Sequence, residues 1–137
     1  MLSMAALLLR GIAVGAFAVT ALGVWRSGLS RDARLATGLT CLGAAAWTLT
    51  ASGRASASLD IPYPLAALAF PAAGFFWAFV TCVFQDRPLR WWAFAPAAAL
   101  LALGVAATWP GSGANPSLLA AFNLAAAALA LHAMVLI

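Results

Sequence analysis

The sequence predicts an all-α protein: a polytopic transmembrane bundle of about five helices, with its N-terminus outside and its C-terminus inside. Three observations lead there. Residues 35–53, 61–85 and 91–137 carry no charged side chain. A helix rises about 1.5 Å per residue, so roughly 20 residues cross a hydrocarbon core of about 30 Å, and the third run is long enough for two crossings. Charged residues make up 7% of the 137-residue chain and hydrophobic ones 66%. Soluble domains carry about 25% charged residues, so this chain could not cover a water-facing surface. The connections between the runs are short and hold the turn-forming residues. No segment alternates apolar and polar residues as a transmembrane β-strand does.

The first span is expected over about 5–25, with Gly11 and Gly15 forming a GxxxG close-packing face. It has no basic segment before it, and its apolar stretch ends at Arg26, so it reads as a retained helix rather than a cleaved signal peptide. The second span is expected over 33–52, the third over 61–84, the fourth over 91–109 and the fifth over 117–137, all within a single domain. Pro71 and Pro96 fall inside the third and fourth spans, where each removes a backbone donor and is expected to bend its helix. Residues 110–116 read Pro-Gly-Ser-Gly-Ala-Asn-Pro, a turn in which Asn115 caps the fifth span and Pro116 takes its first position. Trp25, Trp91, Trp92 and Trp109 stand at span ends, where amphipathic rings belong. The 37 alanines suit close helix contact in lipid, where packing drives association.

Orientation follows from the arginines. Five spans put the 26–34 and 85–90 connections on one side, with Arg26, Arg31, Arg34, Arg87 and Arg90; the opposite loops hold Arg54 alone. Basic loops stay cytoplasmic, which gives N-out and C-in. The same spread of arginines between hydrophobic spans argues against reading the pI of 10.6 as a nucleic-acid surface.

Few residues could carry chemistry. Arg10 lies inside the first span, with only 15 uncharged residues before Arg26. It either snorkels to the headgroups or meets a polar group or an anionic ligand within the bundle. His132 is the only histidine, so it cannot by itself form a metal site, and no span contains a carboxylate to make a proton relay. Asn123 lies about 180° around the fifth helix from His132 and is expected to bond across to a neighbouring helix. Trp47 and Trp77 lie deeper than the other tryptophans. Asp86, Arg87 and Arg90 form a charged elbow at the inner face. Cys41 and Cys82 fall at different depths and are not expected to pair. With no nucleophile–base set, phosphate loop or paired carboxylates, the chain is not expected to be an enzyme, and no metal or cofactor is called for.

Residues 71–92 contain Pro71-Ala72-Ala73-Gly74-Phe75-Phe76-Trp77-Ala78-Phe79, then Val83-Phe84-Gln85-Asp86-Arg87, then Arg90-Trp91-Trp92. This stretch resembles the N-terminal membrane region of membrane-anchored AraC-family transcriptional regulators, as does Leu131-His132-Ala133 at the end of the fifth span. The resemblance implies a membrane-embedded sensing and anchoring module that passes a signal to a cytoplasmic helix-turn-helix domain. That domain has no counterpart here, so the chain is expected to be a fragment, and DNA would be a partner only through the missing part. Arg10, Trp47, Trp77 and Asn123 are the candidate signal-sensing residues. The competing expectation is a complete small multi-pass protein, a transporter subunit or assembly partner that oligomerises through Gly11 and Gly15. The bilayer is the partner in both. The Ala- and Arg-rich, Lys-free composition points to a GC-rich bacterial genome, hence to the inner membrane.

Overall fold

A computed structural model describes residues 4–53, 63–109 and 114–137; the loop holding Arg54 and Asp60, and the turn residues 110–113, lie outside them. The chain is all-helical over these residues. It forms α1 (Met4–Arg26), α2 (Arg31–Gly53), α3 (Tyr63–Ala67), α4 (Ala72–Val83), a 3₁₀ turn (Trp91–Phe94), α5 (Ala95–Thr108) and α6 (Pro116–Val135). With α3–α4 as one broken rod and the 3₁₀ turn leading into α5, this makes five rods. Four of them are long and apolar enough to cross a membrane: α1, residues 63–83, residues 91–108, and α6. The second rod, α2, has the length but a more polar composition.

That exception has a physical reason. Four threonines of α2 return their hydroxyls to the helix's own backbone, Thr37 to the Ala33 carbonyl, Thr40 to Ala36, Thr48 to Ala44 and Thr50 to Ala46, at 2.8–2.9 Å. A donor satisfied in this way costs little away from water. Thr40 also donates to the Phe75 carbonyl at 3.1 Å, which ties α2 to α4. The helix with the most hydroxyls is thus also a central one: α2 packs against α1 on one side and α4 on the other. α4 in turn packs against α5 and α6, whereas among the described residues α1 packs on α2 alone.

The rods approach closely where side chains vanish. A Cβ on Gly43 would lie 3.0 Å from the Ala72 Cα. One on Gly74 would overlap the Ala97 backbone of α5, and one on Gly104 would overlap the Phe70 ring. Phe70 therefore packs directly on α5 at Gly104 and meets Phe122 of α6 edge-on, with centroids 5.5 Å apart. Together with Leu100 these two rings form the buried centre. Gly11 and Gly15, by contrast, are exposed and have nothing near the place of a Cβ. The close-packing glycines within the chain are not those of the GxxxG motif.

The two prolines behave differently. Pro71 breaks its rod: residues 68–71 form a turn between α3 and α4. Pro96 falls in the first positions of α5, straight after the 3₁₀ turn. Its missing N–H is one that a helix start leaves unpaired anyway, so it begins a helix rather than bending one. Asn115 caps α6 as its sequence suggests, its side chain accepting from the Ser117 and Leu118 amides at 3.1 and 3.2 Å.

Replacing Gly74 with Ala forces a methyl into backbone and is expected to cost about 1–3 kcal/mol, the usual range for overpacking. Gly11→Ala fills open space and should leave stability unchanged or slightly raised. Titration of the two variants with SDS in mixed micelles, followed by tryptophan fluorescence, measures the difference.

Candidate functional site

Of the cavities along the bundle, two have α6 in their lining. The larger is about 380 Å³, within the usual range for small-molecule sites. Its floor is the broken stretch between α3 and α4, from Ala69 to Ala73; Ala44, Trp47 and Thr48 of α2 form one wall, Phe122 and Ala126 of α6 another, and Phe17 of α1 the rim. Among the described residues α1 packs on no helix but α2, which leaves a gap between α1 and α6. The one hydroxyl in the wall, on Thr48, is already donated to Ala44. The lining offers a ligand hydrocarbon and aromatic surface, and a hydroxyl whose proton is already engaged.

Arg10 lies seven residues before Phe17, about 700° around the helix and so within about 20° of the same face. It is half-buried. Its Nη1 is shielded from solvent and has no hydrogen-bond partner among the described residues. Burying a guanidinium nitrogen without a partner is costly, and no other buried side-chain nitrogen or oxygen among the described residues lacks a partner.

The smaller cavity, about 220 Å³, lies at the arginine-rich end, between the C-terminal ends of α4 and α6 and the 3₁₀ turn. Trp77, Gln85, Arg87, Trp92 and His132 are among the residues that line it. The chain reaches it through Asp86, whose φ of 50° is in the left-handed region, one that Asp tolerates better than most residues. The Arg87 amide then donates back to the Thr81 carbonyl at 3.4 Å. Arg87 follows the C-terminus of α4, where a cation complements the exposed carbonyls, and His132 lies in the last turn of α6.

The loop is held from outside by a contact between distant segments. Asp32, in the first turn of α2, accepts the Leu89 amide at 2.9 Å through Oδ2. The same carboxylate complements the α2 N-terminus, where the Ser30 hydroxyl oxygen accepts the Ala33 amide at 3.2 Å. At the other end Tyr63 reaches α5, its hydroxyl 3.3 Å from both the Val105 carbonyl and the Thr108 hydroxyl.

The candidate residues therefore separate. Trp47 lines the larger cavity, partly exposed rather than deep in the packing, and Arg10 lies on the face that leads to it. Trp77 and Arg87 belong to the smaller cavity, while Asp86 and Arg90 stay exposed beside it. Asn123 is exposed on α6 and bonds to no other helix among the described residues; its neighbour Phe122 takes the inward place. Sequence reasoning passed over Phe17, Phe70, Phe122 and Ala126, since apolar residues in an apolar helix give no contrast. Asp32 and Tyr63 were passed over too, because their partners lie 57 and 42 residues away. Cys41 and Cys82 are free and buried.

Comparison with known proteins gives no match: no family model, no curated protein and no solved structure is similar to the chain. Among the described residues no three His, Cys, Asp or Glu side chains converge on a metal-binding arrangement. The chain is a membrane protein by its helices, and its candidate chemistry is binding in these two cavities.

Asp32→Ala removes a charged acceptor from a partly buried amide, worth about 1–3 kcal/mol. The Leu89 amide is expected to exchange with deuterium at least about tenfold faster in the variant, with α1 and α6 amides unchanged. Mass-resolved exchange in nanodiscs checks this.

Proposed function

We propose that the chain is the membrane-embedded sensing and anchoring module of a transcription regulator of the membrane-anchored AraC type, lying in a bacterial inner membrane with its N-terminus outside. The observation that carries this reading is the course of α6. Phe122 and Ala126 on its first half line the larger cavity, and His132 and Leu136 at its end line the smaller one. A ligand entering the first cavity presses on the same helix whose far end borders the arginine-rich face. A signal can then pass along one rigid element, provided the ligand favours one packing of α6 over another. The resemblance over residues 71–92 supplies the kind of output, a DNA-binding domain outside this chain. The arginine bias supplies the side on which it would act. On this reading the protein binds and relays and catalyses nothing.

A second reading has one observation in its favour. Gly11 and Gly15 face outward with open space around them, as they would in a small oligomeric membrane protein that meets a second copy through α1.

The test has two arms. The genomic reading frame past Ile137 is expected to continue into a basic helix-turn-helix segment; a stop codon there removes the regulator reading and leaves the oligomeric one. A reporter joined after Ile137 is expected to behave as cytoplasmic, with β-galactosidase active and alkaline phosphatase inactive. The opposite pattern overturns the orientation.

A further inference from the structure

We infer that the larger cavity, together with Arg10, is a binding site for a single-chain anionic amphiphile of the fatty-acid kind, its carboxylate on the guanidinium and its hydrocarbon tail between α1, α2 and α6. The inference deepens the reading of that cavity as the sensing site, and its binding arm can be measured without reference to any output.

Two independent features require the two halves of such a ligand. The cavity walls are hydrocarbon and aromatic rings, and the one wall hydroxyl is engaged within its own helix. The lining is almost wholly apolar and suits a hydrocarbon chain. The unsatisfied charge lies on the face that leads into it: Arg10 follows Phe17 toward the outer end of α1 by two helical turns, about 10 Å, and its shielded Nη1 has no partner among the described residues. α1 and α2 are joined by residues 27–30 and run antiparallel. Phe17 and Ala44 line the same cavity, so Arg10 lies level with the last residues of α2, about one turn beyond Trp47. A charged head at Arg10 would therefore have Trp47 just beneath it and the cavity below that. α1 is about 34 Å long, with Arg10 about 9 Å from its outer end. A carboxylate at that depth is below the headgroups, where a guanidinium contact is strengthened by the low dielectric and loss of the partner is most costly.

A single chain fits better than a bilayer phospholipid. The cavity is at the small end of ligand sites, and a phospholipid would bring a second acyl chain and a bulky head to a depth where only one guanidinium waits.

The experiment uses the full chain in phosphatidylcholine nanodiscs, with a brominated long-chain fatty acid that quenches nearby tryptophan and its methyl ester as the neutral counterpart. Saturable quenching by the acid is expected, with the saturable part absent in Trp47→Phe. The ester should bind at least about tenfold more weakly, since it cannot form the charge-assisted bonds. Arg10→Gln should bring the acid down to the ester's level, and Ala126→Phe should abolish saturable binding of both by filling the cavity. Equal binding of acid and ester by the unaltered protein overturns the proposal without relying on any variant. Binding that appears only in Asp60→Asn would assign Arg10 to the chain's own carboxylate and also overturns it. So does binding that vanishes in phosphatidylglycerol nanodiscs, which would give the site to the bilayer's own anionic lipid. Saturable binding with no change in transcription from the intact gene would leave the site standing and remove the regulator. The reverse result would remove the site and leave the regulator.

Discussion

The bundle depends on α4 reaching van der Waals contact with α2 on one side and α5 on the other. In lipid there is little to gain from hiding apolar surface, so helices associate through close packing and a few hydrogen bonds. Gly43 against Ala72 and Gly74 against Ala97 bring the backbones near enough for that packing to count. The same nearness lets the Thr40 hydroxyl reach the Phe75 carbonyl while still bonded to its own helix. A methyl at Gly74 would separate α4 from α5, and the Phe70, Leu100 and Phe122 cluster is built across that interface. Both cavities are bordered by α4 and would change shape with it.

The rods were legible because the signal for a membrane crossing is long and coarse: an absence of charge over about 20 residues. Asn115 and Pro116 were legible because capping is a local matter, decided within three residues. The break at Pro71 was legible for the same reason. The consequence of Pro96 was not, since whether a proline starts or bends a helix depends on where the helix begins, and here four residues of 3₁₀ turn displace that start. The packing glycines were hidden for a different reason. Gly43, Gly74 and Gly104 stand on three different helices, so no spacing within one helix links them, whereas Gly11 and Gly15 advertise a motif and meet nothing among the described residues.

The candidate site was half legible. A charge inside an apolar span is visible in any sequence, so Arg10 could be singled out, and a deep tryptophan such as Trp47 nearly so. The cavity that gives them meaning is a property of what α1 does not touch. It arises from tertiary geometry, and its walls are alanines and phenylalanines in a chain that has 37 alanines and eight phenylalanines. Asn123 shows the converse. Polarity marked it, yet the helix turns Phe122 inward and leaves the amide outside.

The one-sided attachment of α1 also bears on how the protein is made. Its sole partner among the described residues is the helix that follows it immediately in the chain, across residues 27–30. The α1–α2 hairpin therefore has all its internal contacts as soon as Gly53 leaves the translocon, before any residue of the aromatic centre has been synthesised. Biogenesis would begin with a finished antiparallel pair, and the remaining rods would assemble afterwards on the free side of α2.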